Sequence, residues 1–284
     1  MKALWIFLTL APAVFAQDLI LKDGKVLATK GLKRQGDTIL ATLDLSGGDP
    51  AQAAKTGVFG FPLAQIAKLD FPEPAQFRTM PDLIAQGHGA EALAQLEPII
   101  KFYEPFGDAP GSWWARAALL KVQALVSMGR EKEAAPITEQ ILHLAVDLET
   151  LRAARVQLAA GLVRKGSEAE ALEICNSALK DSKDSRTLAA AFVVKGQCLL
   201  AKKQWEDAIL TFLEVPVFYP GEKALLPQSL LGVGRAQFGM ENFADARAAL
   251  DQLIKTYAAS SEAAQAKVEL EKITRREKAL AAPQ

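Results

Sequence analysis

Two arrangements of apolar positions divide this chain. From residue 17 to residue 74 they form short runs separated by turn residues, and from residue 76 to residue 282 they recur at helical spacing around a repeated set of small side chains. In the first part, the run at residues 18–22 is closed by Asp23-Gly24, a pair suited to a tight hairpin because glycine takes a positive φ without strain. Two strands are therefore expected to flank it. Residues 38–45, which precede the Gly47-Gly48-Asp49-Pro50 breaker, and the runs at 57–61 and 66–71 complete four or five short strands. A small twisted barrel is expected, because closure hides edge strands. Pro72-Glu73-Pro74 ends this module, since consecutive X-Pro steps oppose helix.

The second part is periodic on a longer scale. A small residue is followed twelve positions on by alanine, and four further on by a large apolar residue, at Gly196, Ala208, Phe212 and again at Gly234, Ala246, Leu250. Weaker copies are Ala159, Ala171, Cys175 with Gly166 at the turn, Val122, Ala134, Thr138 with Gly129, and Ala92, Leu96 with Gly87. The alanines at 92, 134, 171, 208 and 246 are spaced by 42, 37, 37 and 38 residues, enough for two short helices and two turns per unit. A Gly or Ala facing an Ala lets the two helices of a hairpin approach closely, and the large residue fills the seam to the next hairpin. Beyond Ser261, Ala263, Ala266, Leu270 and Ile273 recur at three and four with charged residues between them, the pattern of an amphipathic closing helix. The fold expected is mainly α: a solenoid of about five helical hairpins over 76–282, preceded by a small β module over 17–74.

At Gly196, Ala208, Phe212 and Pro220 the sequence resembles the tetratricopeptide repeat family, and residues 187–261 look most like its bacterial cell-envelope members of the Tol-Pal coordinator type. Unit two departs by placing Val122 where the small residue belongs, and Pro98 and Pro136 fall inside second helices, where kinks are expected. The β module resembles SH3-like or Sm-like barrels. The repeat resemblance implies that the first helix of each unit lines a concave groove. Its residues here would be Arg116, Leu119, Gln123, Val126 and Ser127; Ala153, Val156, Ala160, Val163 and Arg164; Ala190, Val193, Gln197, Leu200 and Ala201; and Gln228, Leu231, Arg235, Phe238 and Gly239. That face is apolar, with three arginines and no acid, and suits a protein or peptide ligand with a hydrophobic stripe and an occasional carboxylate. The alternative is that these residues pack on one another or against the β module. The Lys and Asn of the family's peptide-carboxylate clamp occur at none of these positions.

Composition narrows the chemistry. With 33 basic and 33 acidic side chains the net charge is zero, so no global field draws the chain to nucleic acid or anionic lipid. Two His and two Cys leave almost no material for a zinc cluster or a His-based triad, and no cofactor or metal is expected. Gly232-Val-Gly234 begins like a dinucleotide fingerprint but lacks the third glycine and follows a helix. His88 lies in a turn and His143 near a helix end, away from acidic clusters. Trp113-Trp114 opens unit two, and either one ring is a contact residue or both wedge under the preceding loop. Cys175 sits at the seam of unit three and Cys198 on the facing helix of unit four, where they either pair as a disulfide or remain two small buried thiols.

The first sixteen residues read as a signal peptide. Met1-Lys2 supplies the charge, residues 3–15 the apolar run, and Val14 and Ala16 the small pair for cleavage after Ala16. No later run approaches the roughly 20 apolar residues of a membrane span. The function expected is a periplasmic or secreted, non-catalytic scaffold or adaptor for protein partners in the cell envelope. Two other readings stay open: action on cell-wall polymer through the β module, with Asp18, Asp23, Asp37 and Asp44 as its carboxylates, and a homo-oligomeric structural protein.

Overall fold

The computed structural model describes residues 17–46, 55–145 and 147–281. The signal-peptide reading and the Gly47–Pro50 breaker lie outside these residues. The chain divides into two compact units. One holds the described residues through Glu73 together with Tyr103–Trp113, and the other holds Pro74–Phe102 and the described residues from Trp114 onward.

The first unit is a five-stranded antiparallel sheet of β1 (Gln17–Leu21), β2 (Val26–Gln35), β3 (Thr38–Asp44), β4 (Thr56–Pro62) and β5 (Ile66–Asp70), in the order β4-β3-β2-β1-β5. Gly24, at φ 87°, makes the first hairpin turn, and its N–H bonds the Leu21 carbonyl at 3.0 Å. Alternation places Leu19, Ile39, Ala41, Ile66 and Leu69 in a core with no solvent exposure. Among the described residues the main-chain ladders form the small antiparallel β module expected from the sequence, with β4 and β5 at the two ends of the hydrogen-bonded order. Part of the β5 edge is covered. The Leu69 N–H donates to the Pro110 carbonyl at 2.8 Å, and Arg34 holds Asp108 through two bonds of 3.0 and 3.2 Å. Trp113 is half-buried, its indole N–H bonded to the Phe71 carbonyl at 3.0 Å, so it is anchored within this unit.

The second unit is built of eleven α-helices among the described residues: α1 (Met80–Ala85), α2 (Gly89–Tyr103), α3 (Trp114–Ser127), α4 (Glu131–Leu144), α5 (Leu148–Arg164), α6 (Glu168–Asp181), α7 (Ser185–Ala201), α8 (Trp205–Phe218), α9 (Leu226–Gly239), α10 (Phe243–Thr256) and α11 (Ser261–Ala281). From α3 onward they form antiparallel hairpins. Each first helix (α3, α5, α7, α9) stacks on the next, each second helix packs against the following first helix, and α11 closes the stack on α9 and α10. The five key alanines all lie on second helices and are buried. Gly87, Gly129 and Gly166 take positive φ at the turns within hairpins, and in the last two hairpins Lys203 (φ 59°) and Glu241 (φ 61°) do so without glycine. Asp147 and Asp184 cap α5 and α7 by accepting from the Thr150 and Thr187 N–H groups at 2.7 and 2.8 Å.

Helices α2 and α4 each contain their proline, Pro98 and Pro136, within one element. The spacing of 42 falls where residues Tyr103–Trp113, between the first two repeats, belong to the β unit.

The contact behind the Gly-Ala-Phe pattern differs from the one expected. A Cβ built on Gly196 would meet the Phe212 ring at 2.6 Å, and one on Gly232 the same ring at 2.4 Å, so the glycines accommodate the aromatic residue rather than the alanine. Gly234 accommodates Leu250 in the same way, at 2.6 Å. The Gly232-Val-Gly234 segment is thus the middle of α9, used for packing.

Candidate functional site

Stacked first helices present one face inward, and in the second unit this face borders a cavity of about 160 Å³. Helical periodicity selects its walls. They include Leu119, Gln123, Val126 and Ser127 on α3, Ala153, Gln157, Ala160 and Arg164 on α5, and Ala190, Val193, Val194 and Gln197 on α7. The first turn of α7 adds Asp184, Arg186 and Thr187, and the start of α9 adds Ala224, Leu225, Pro227 and Gln228. The remaining side is made by the two ends of the repeat unit. Ile84, Ala85 and Gly87 come from the first hairpin, and Ser260, Ser261 and Glu262 from the turn into α11. The two ends touch, since a Cβ on Gly87 would lie 2.9 Å from the Ala259 carbonyl oxygen.

Eleven of the twenty groove residues named from the sequence line this cavity: Leu119, Gln123, Val126, Ser127, Ala153, Ala160, Arg164, Ala190, Val193, Gln197 and Gln228. Nine do not, and six of these have a definite other place. Arg116 lies on the exposed side of α3 with its guanidinium 5.4 Å from the Phe77 ring centre. Val156 is 1% exposed in the core cluster that holds both cysteines. Leu200 packs on the cluster around Phe212, and Leu231 lies within that around Leu250. Phe238 packs against Phe243, with ring centres 6.1 Å apart. Arg235 donates to Glu269 at 2.9 Å and to Gln265 at 3.1 Å on the closing helix, which consumes its charge. The groove's last segment is therefore filled by α11.

The sequence also missed Gln157, Arg186 and the two acids of the cavity. Gln157 follows from the i, i+4, i+7, i+11 face through Ala153, Ala160 and Arg164, a signal available in the sequence. Asp184 and Glu262 lie outside the groove positions read from the sequence, and both have local work. Asp184 caps α7, and Glu262 accepts from the Ser261 hydroxyl at 3.1 Å.

Three polar groups of the cavity lack such partners. The Gln123 Oε1 is buried without a hydrogen bond among the described residues. Arg164 makes no ion pair among them, and neither does Arg186. Burial lowers the pKa of Arg186 from the ordinary arginine value, opposed by the nearby Glu222 and Asp184 charges.

Cys175 and Cys198 share one buried cluster as free thiols. Burial pushes their pKa values up to about 12 and about 11. The four aspartates of the β module do not converge. Asp23 and Asp37 lie at opposite ends of the ten-residue β2. Asp44 pairs with Lys30 at 2.6 Å, which, with Ser46, holds its carboxyl well below the usual range. Among the described residues no three His, Cys, Asp or Glu side chains are grouped to hold a metal ion, and no helix is long and apolar enough to cross a membrane.

Hairpins stacked in one direction around an inner groove define a helical repeat solenoid. The tetratricopeptide repeat family model matches residues 228–260, which span α9, α10 and the turn into α11. No curated protein matches the chain. A tetratricopeptide repeat supports a role in protein–protein interaction, the usual work of such modules, which are typically non-catalytic.

Proposed function

We propose that the chain is a non-catalytic scaffold of the cell envelope that holds partner proteins by a short extended segment laid in the cavity of its helical unit. The observation that carries this reading is the cavity's construction, in which inward faces of α3, α5 and α7 meet the first and last hairpins around a space with unpartnered polar groups. Its volume of about 160 Å³ is small beside the ~300–1,000 Å³ of a drug-sized ligand site, so it suits one side chain of an extended segment rather than a folded surface. Placement in the envelope rests on the charge, apolar run and small pair of residues 1–16.

A specific observation favours a second docking face. Leu210, Leu213, Val217 and Phe218 form an exposed apolar stripe on α8, with Leu210 and Phe218 each 66% exposed. Capture from envelope extract separates the two readings. Filling the cavity with Ala160→Trp should abolish capture of the proteins that wild type retains, and Leu210→Ser with Phe218→Ser should leave it intact. The reverse pattern would move docking to α8.

A further inference from the structure

Strand β4 ends the sheet with a main-chain edge whose free groups can be assigned residue by residue. In an antiparallel ladder, directly opposed residues alternate between exchanging hydrogen bonds with each other and turning their N–H and C=O outward. The Leu45 N–H donates to the Lys55 carbonyl at 2.7 Å and the Leu63 N–H to the Asp37 carbonyl at 2.8 Å, and the β3–β4 register runs without a shift between these two pairs. Gly57, Phe59 and Phe61 therefore bond to β3, while Thr56, Val58 and Gly60 turn their main-chain groups away from the sheet.

This edge is apolar as well as unpaired. No residue of β4 is buried, and none carries a charge. The core face that holds Ile39 and Ala41 on β3 continues to Phe61 and Phe59 opposite them, and there it opens to solvent, with Phe59 42% exposed. Val58, on the other face, is 64% exposed. The opposite edge is treated differently, since β5 carries Lys68 and Asp70 and the Leu69 N–H is taken by the Pro110 carbonyl. Edge strands are normally blunted in such ways. On β4 the blunting residues stand only at the ends, as Lys55 and Pro62.

The strand is complementary to itself. Placed antiparallel to a second β4 about a two-fold axis at Val58, Thr56 faces Gly60 of the other copy and Val58 faces Val58, so every outward N–H finds a carbonyl. A shift of two residues toward Pro62 would set Thr56 opposite a residue with no N–H to give. In the two-fold register Phe59 of each copy faces Gly57 of the other, so neither ring meets an opposing side chain, and the two β-branched valines form a cross-strand pair. No like charges are brought together on the strand, and the whole chain has no net charge to hold copies apart. A charged foreign segment would find no counter-charge on β4.

We propose that two copies of the chain join through β4, antiparallel about a two-fold axis at Val58, into one continuous sheet. This surface is separate from the helical cavity and does not depend on it.

Sedimentation equilibrium of the protein purified from its native host should show a monomer–dimer equilibrium in the micromolar range, one paired strand being a small interface. Val58→Pro removes an N–H that β3 does not use, a position where an edge strand tolerates proline, so the melt should be kept while dimerisation weakens at least about tenfold. Val58→Lys and Val58→Glu should each dimerise more weakly than wild type, because the axis sets like charges opposite each other, and mixing the two should restore the dimer as a Lys–Glu pair. That recovery is specific to the register with Val58 opposite Val58. A monomer at every concentration, a dimer that survives Val58→Pro, charged variants that dimerise as well as wild type, or a mixture that stays monomeric would overturn the proposal. A benzophenone amino acid at Val58 should yield adducts between two copies in the native host; adducts with a foreign protein alone would give the edge to a partner chain and overturn it equally. Should Val58→Pro lose its melt, the mixing experiment decides.

Discussion

The ring of Phe212 bears on the backbone of Gly196, so that a single added methyl carbon at Gly196 would come 2.6 Å from the ring. Phe212 has no exposed surface, and Gly232 bounds it on the following helix. One side chain thus locks two successive hairpins. In a solenoid, where each unit contacts only its neighbours, such a seam is the cohesive element.

Gly196→Ala should therefore destabilise the protein despite the better helix propensity of alanine. The propensity gain is about 1 kcal/mol, whereas overpacking costs about 1–3 kcal/mol when the obstructing group cannot retreat. The ring cannot retreat, being held between two glycines. Urea unfolding should show a net loss, largely recovered in Gly196→Ala with Phe212→Leu. A variant as stable as wild type would mean that the seam is loosely packed.

Closing helix α11 depends on a buried carboxylate. The Glu269 side chain is 8% exposed and is neutralised by Arg235 at 2.9 Å and Lys272 at 3.0 Å. Arg235→Leu should cost about 1–3 kcal/mol, the penalty of leaving a buried polar group short of a partner. Amide exchange should speed up in α11 and the end of α9 before the other hairpins. Uniform acceleration throughout the unit would contradict a local role.

The two thiols give alkaline stability a definite sign. Both folded values, about 12 for Cys175 and about 11 for Cys198, lie above the ordinary 9.0. Their contribution is fully present below pH 9 and falls as pH rises toward 11, because the unfolded chain loses thiol protons first. The slope of stability against pH between 9 and 11 should be shallower in Cys175→Ala with Cys198→Ala. Denatured, unreduced protein should release two reactive thiols. A count of zero together with equal slopes would establish the bonded pair instead.

The parts legible in the sequence were those set by local packing. Ala92, Ala134, Ala171, Ala208 and Ala246 mark every second helix, because a buried contact between close helices tolerates little else. Gly87, Gly129 and Gly166 marked three turns, but Lys203 and Glu241 hold the same left-handed backbone with side chains that give no such signal. Other features arise from contacts distant in sequence. Nothing local shows that residues Tyr103–Trp113 join the β unit, or that Ala259 returns to Gly87 and brings Ser260, Ser261 and Glu262 to the cavity. For the same reason Arg235, Leu231 and Phe238 read as groove residues. Their partners lie on α10 and α11, and only the packed stack shows them covered.

The most direct test of the central claim is site-specific photo-crosslinking in the native host. A benzophenone amino acid placed at Ser127, on the cavity wall, should yield adducts with a partner protein. The same probe at Leu210 on α8, or at Lys33 on β2, should not. Adducts formed only from Leu210 or Lys33, with none from Ser127, would contradict the account and place recognition outside the cavity.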